Sequence, residues 1–208
     1  MIPKKIVESN SISYPKIYNI DLEKDPFPWF LLSVLFGARI SERVAANTFF
    51  LFKSEKLLSP EHIIERGWDG LVAVLDSGGY TRYDFKTATK LLELSENLIT
   101  QGGLKKIHEQ SRNSEELVDN LKNLAKGIGD VTVGIFLREM VEIWSKAEPY
   151  PSKLVKIAAK NLNIDLFSYY KEENIRYGTL ESFLVNTGKL CIKQNCKDCK
   201  VEVYCIKK

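Results

Sequence analysis

Several features are scarce in this 208-residue sequence, and each scarcity removes a class of protein. No stretch approaches the roughly 20 apolar residues of a membrane span, and the longest apolar run, Trp29 to Gly37, is far too short. After Met1-Ile2-Pro3-Lys4-Lys5 the chain turns polar with no apolar signal core, so we expect a cytoplasmic protein without a membrane partner. Charge of one sign is not in excess. The 30 Lys and Arg against 27 Asp and Glu leave a net charge of +3, too little to establish a nucleic-acid partner. The two histidines, His62 and His108, have no metal-ligand spacing and read as surface residues. Cysteine is absent before Cys191, strand signals are few, and there is no internal repeat or low-complexity linker.

What remains is helical periodicity. A chain of this length, 44% hydrophobic, can bury the core of one large domain or two small lobes. Pro26-Phe27-Pro28 introduces a helix apolar on nearly all sides from Trp29 to Leu35, which predicts a central element. Ser41 is placed to N-cap a second helix, Ser59-Pro60 to start a third, and Gly78-Gly79 to end a short helix over 69–75. A long helix follows from Asp84, with Phe85, Ala88, Leu91, Leu92, Ser95 and Leu98 on its inner face. Ser114 opens another, with Leu117, Leu121 and Leu124 inward. After Gly127-Ile128-Gly129 a helix is expected to bury Val133, Phe136, Leu137, Met140 and Trp144. Ser152 caps the next, and a last helix near 180–189 leads to the cysteines. The expected fold class is all-α.

The four cysteines form the pattern Cys191-x4-Cys196-x2-Cys199-x5-Cys205. Clustering this tight in a chain expected in the cytosol points to a metal site rather than to disulfides. Four thiolates suit tetrahedral zinc or an iron-sulfur cluster, and the spacing alone leaves both open. The surrounding segment is basic, with six lysines from Lys189 to Lys208 against Asp198 and Glu202; such a patch is either a solvated face or a DNA contact.

Leu124-Ala125-Lys126-Gly127-Ile128-Gly129-Asp130-Val131-Thr132-Val133 has the form helix, Gly-hydrophobic-Gly turn, helix. Glycines let the backbone turn sharply with no Cβ in the way of a phosphate. The amides of the turn and of the following helix start can then hold that phosphate without reading sequence. A plain tight connection between helices is the other reading of the same residues.

Together, the hairpin and the terminal four-cysteine loop resemble the endonuclease III and adenine-mismatch branch of the helix-hairpin-helix DNA glycosylases. Pro28 to Arg39 looks like the family's early barrel helix and its duplex-wedging loop, and Gly79 to Ala88 looks like its Gly-hydrophobic segment before a Lys-Ala helix. The resemblance implies two α-helical lobes. A six-helix barrel lobe spans 27–145, with the hairpin at about 114–144; the other lobe joins 1–26 to 146–208 and holds a [4Fe-4S] cluster in the loop 191–205. It implies ligation by Cys191, Cys196, Cys199 and Cys205, with zinc the alternative metal. The partner it implies is double-stranded DNA carrying a damaged or mismatched base, bound by a monomer through Arg39, Arg82, Lys126, Gly127, Gly129, Thr132 and Lys193. The first cysteine gap is shorter than the family's, which leaves Lys193 as the one basic residue inside it.

The family's catalytic pattern is not matched. Where bifunctional members carry a lysine that attacks the sugar stands Val131, which cannot form an imine, so a monofunctional route is expected. The family's aspartate position falls on Pro149 or Pro151; the acids nearest to it are Glu148 and Asp130, the two catalytic candidates. Asp130 also suits the positive end of its helix. A non-catalytic DNA-binding paralogue and a zinc-stapled interaction module are the alternatives to an active glycosylase.

Overall fold

The computed structural model describes residues 2–207; Met1 and Lys208, the ends of the expected second lobe, lie outside the described residues. Among the described residues there is no strand, and the chain runs through twelve α-helices. They are α1 (Lys4–Ser9), α2 (Tyr14–Ile17), α3 (Phe27–Phe36), α4 (Glu42–Ser54), α5 (Pro60–Ser77), α6 (Asp84–Gln101), α7 (Leu104–Gln110), α8 (Ser114–Lys122), α9 (Asp130–Leu137), α10 (Lys153–Leu162), α11 (Leu166–Glu172) and α12 (Tyr177–Ile192). The fold class is all-α. No helix among the described residues is long and apolar enough to cross a membrane.

Local chemistry sets most of the helix starts. Ser41, Ser59 and Ser152 each accept a hydrogen bond from the backbone N–H three residues on, which satisfies one orphan amide of the first turn. At α8 the cap is Asn113, one residue before the expected Ser114, and it accepts from the Glu116 amide at 2.9 Å. The helix after the hairpin is shorter than its apolar pattern suggests. Beyond Leu137 the backbone bonds tighten to three-residue turns (Glu139 to Phe136, Met140 to Leu137), and these turns still deliver Met140 and Trp144 to the core.

The apolar side chains gather into two clusters. The first runs from Leu22 to Ala147 and is centred on α3, whose residues from Phe27 to Leu35 are all buried. Two long-range hydrogen bonds fix α3: Trp29 Nε1 donates to the Phe136 carbonyl at 3.1 Å, and the Tyr80 hydroxyl donates to the Leu35 carbonyl at 2.8 Å. Phe136 stands edge-on to both Phe30 and Trp144. His108 stacks on Trp144 with centroids 4.7 Å apart, so this histidine is a packing residue rather than a free surface one.

The second cluster joins the N-terminal Ile2 and Val7 to α10, α11 and α12, with Val155, Leu180, Phe183 and Leu184 at its centre. α10 and α12 approach closely because Gly188 has no side chain; a Cβ there would overlap the Leu154 carbonyl oxygen. A polar seam joins the clusters. Arg138, Glu139 and Glu142, just after α9, meet Arg176, Tyr177 and Glu181 at the start of α12.

Candidate functional site

The hairpin between α8 and α9 is built from one strained position and one open one. Gly127 takes φ +89°, a conformation costly for any residue with a Cβ. Gly129 is extended and caps α9 with no side-chain bond, and a Cβ there would meet nothing within 4 Å. Ile128, between them, is buried in the first core. The first amide of α9 with a backbone partner is Val133, bonded to the Gly129 carbonyl at 3.1 Å. The preceding amides form the positive end of the helix, with open space before them.

One face of α6 supports this turn. Asn97 Nδ2 donates to the Leu124 carbonyl at 2.9 Å, and the Lys126 amide donates to Glu93 Oε2 at 3.1 Å. Lys90 lies with its Nζ 3.5 Å from where a Gly127 Cβ would stand. Positions 90, 93 and 97 share a helix face, so a single element braces the hairpin and sets an ammonium beside it. Burial lowers the pKa of Lys90.

Asp130 opens α9 and is held from two sides, by an ion pair with Lys122 and by the Tyr150 hydroxyl at 3.0 Å. The Lys122 bond, then that of Tyr150, holds its carboxyl below the usual range. Asp130 is therefore an ionised, tethered carboxylate.

Beyond Asp130 and Val131 a cleft of about 770 Å³ opens between the two clusters. Phe36, Ile40 and Tyr150 form walls on the side of the first cluster, and Leu154 and Val185 on the side of the second. Lys153, Lys156 and Lys189 also line it, with Glu42 and Asp130 among them, so the rim is of mixed charge. Arg138 and Glu181 lie deepest: both line the cleft, yet they are only 7% and 3% exposed. The Arg138 guanidinium sits 5.6 Å over the Trp29 ring, with its Nε 3.6 Å from Glu139. Burial pushes the Glu181 carboxyl up to about 7; Arg138 and the Tyr177 hydroxyl pull it down, and Glu139 pushes it up. Glu139 is itself raised, mainly by burial.

The residues picked out in the sequence are distributed unevenly around this cleft. Asp130 and Val131 line it, and Val131 is 57% exposed. Glu148 is exposed and does not line it. Arg39 is exposed in the loop after α3, next to the lining residue Ile40. Arg82 is exposed with its guanidinium 5.5 Å from the Tyr83 ring, and Lys126 and Lys193 are exposed at the hairpin and the end of α12. The Thr132 side chain is buried against Gly37, where a Cβ would overlap its Oγ1. Glu181, Arg138, Tyr150 and Lys90 were not singled out in the sequence. The one signal for Glu181 was its position as a lone acid in the apolar stretch Leu180-Glu181-Ser182-Phe183-Leu184.

The cysteine loop follows α12. All four thiols are free, with Cys196 exposed and the other three half-buried. Backbone bonds close its turns, Gln194 to Cys191 and Cys199 to Cys196, and a 3-10 turn at Glu202–Tyr204 presents Cys205. Val201 anchors the loop in the second core, and the Ile206 amide donates to the Asn161 carbonyl at 2.8 Å. Burial raises the Cys199 thiol, and a backbone hydrogen bond from Val201 offsets part of the rise. Among the described residues no three His, Cys, Asp or Glu side chains converge on a single-ion position. The fit to a metal centre is thus one of donor chemistry, four soft thiols in one loop, rather than of a closed coordination shell. No protein-family model matches the sequence, and no curated protein matches it.

Proposed function

We propose that this chain is a DNA-binding base-excision-repair protein of the endonuclease III-like kind, with the two-lobed helix-hairpin-helix fold, acting on duplex DNA that carries a damaged or mismatched base. The observation that carries this reading is the placement of the hairpin. Its uncapped helix start and open Gly129 adjoin Asp130 and Val131, which line a cleft large enough for one nucleotide and carrying Lys153, Lys156 and Lys189. A phosphate on the hairpin amides would register the duplex, and the neighbouring nucleotide, turned out of the stack, would enter the cleft. Tyr150 and Phe36 offer aromatic surface for its base.

The chemistry of this reading is hydrolysis of the N-glycosidic bond without strand cleavage, because Val131 cannot form a Schiff base with the sugar. Cys191, Cys196, Cys199 and Cys205 would hold the [4Fe-4S] cluster, which would brace the loop that carries Lys193. A panel of duplexes with oxidised, deaminated, alkylated and mismatched bases tests the activity. Base release with no borohydride-trapped complex is expected. Trapping would contradict the monofunctional route. Binding to every duplex without release from any would leave the non-catalytic paralogue, and a colourless zinc protein that binds no DNA would leave the interaction module.

A further inference from the structure

The deepest charged groups of the cleft are not those the hairpin presents. Arg138 comes from the segment after α9 and Glu181 from α12; both line the cleft, and the charge of Arg138 acts on the Glu181 carboxyl. Each keeps an unsatisfied atom: Glu181 Oε2, Arg138 Nε and the neighbouring Tyr177 hydroxyl are buried without a hydrogen-bond partner of good geometry. A buried carboxylate oxygen left unpaired is costly, and most buried polar atoms in folded proteins find a partner. Glu181 Oε2 is itself closed off from solvent, while the residue lines the cavity.

We infer that Glu181 is the carboxylate that performs the chemistry of the cleft on an extruded nucleotide, with Arg138 as its positioning partner. This rests on the DNA-repair reading above and extends it to a residue on a different helix from either candidate read in the sequence. As the acid, Glu181 gives its proton to the departing base while the C1′–N bond breaks and its electron pair leaves with the base. As the carboxylate, it then stabilises the positive sugar and takes a proton from the water that adds hydroxide to C1′. The products are free base and an abasic sugar, and Glu181 regains its proton.

The other acids of the cleft are less suited. Asp130 is ionised and tied to Lys122 and Tyr150, so it has no proton to give near neutrality. Glu42, at the rim, pairs with Lys189 and Tyr14. Glu139 does not line the cleft. The groups that face Glu181 itself are Arg138, Glu139 and Tyr177; Lys153 and Lys156 of α10 and Lys189 of α12 line the same cavity. Burial, only partly offset by Arg138 and the Tyr177 hydroxyl, pushes Glu181 up to about 7, where acid and base forms are both present.

The test uses two duplexes that need no knowledge of the lesion: one with a pyrrolidine abasic analogue, cationic like the sugar in the transition state, and one with an uncharged tetrahydrofuran. Wild-type protein is expected to bind the pyrrolidine duplex on the order of 100-fold more tightly, and Glu181→Gln to lose most of that preference while holding the tetrahydrofuran duplex. Glu181→Asp should retain part of it. If Glu181→Gln fails to fold, the wild-type protein alone still decides, because its preference should grow as pH rises through about 7. A preference that survives Glu181→Gln, that ignores pH, or that is missing from a protein that binds both duplexes overturns the role of Glu181. Failure to bind either duplex overturns the DNA reading and this role with it.

Discussion

The hairpin and the cysteine loop are both short, turn-rich segments that follow a helix, yet they are held in different ways. The hairpin is clamped by side chains from elsewhere in the chain: Asn97 and Glu93 on its backbone, Lys122 and Tyr150 on Asp130, and Ile128 in the core. The cysteine loop is held by its own backbone turns, by Val201, Cys199, Tyr204 and Cys205 packed on the second cluster, and by the Ile206–Asn161 bond. Among the described residues no side chain from elsewhere clamps its backbone turns. Such clamps fix the first segment. The second has the donors for an external ligand where the first has clamps, as small metal-stapled segments do.

The largest effect should come from removing a donor. Cys199→Ser is expected to abolish bound iron and sulfide and the visible absorption, and to open the 191–205 loop to proteolysis while the hairpin stays protected. Equal loss of protection in both segments would break the contrast between them.

A second effect falls on the seam between the clusters. Glu181 titrates at about 7 in the folded chain against 4.5 ordinarily. The folded state therefore binds the extra proton between these values, and stability falls as pH rises across that window. At 1.36 kcal/mol per pK unit the loss is roughly 3 kcal/mol. Urea unfolding of wild type and Glu181→Gln at pH 4.5 and 7.5 measures it, and the variant should lack this component of the slope. Identical slopes would mean that the carboxyl is solvated. The smallest effect sharpens the account of the hairpin: Asn97→Ala removes the bond to the Leu124 carbonyl and should cost about 1 kcal/mol and weaken duplex binding, leaving iron content unchanged.

Much of the fold could be read from the sequence because its signals are local. The caps at Ser41, Ser59 and Ser152 and the all-round apolar α3 depend on neighbouring residues alone. α1, α2, α7 and α11 gave no such signal, since none is longer than seven residues and their burial depends on partners distant in the chain. The site divides the same way. Gly127-Ile128-Gly129 marks a turn by backbone chemistry that any reader of the sequence can follow. Glu181 reads as one acid on a helix until α12 is placed against the segment after α9, and only then does it face a cavity beside Arg138. The burial of the Thr132 side chain against Gly37 was likewise not legible, because Gly37 lies on a distant helix end.

The central claim is that the hairpin binds duplex phosphate, and salt dependence tests it most directly. Duplex affinity should fall steeply with salt, the log-log slope gaining about −0.9 for each phosphate neutralised. Gly127→Ala, forced to φ +89° beside Lys90, should bind at least tenfold more weakly while still folding. Affinity that does not change with salt, or that is the same in Gly127→Ala as in wild type, would contradict the account.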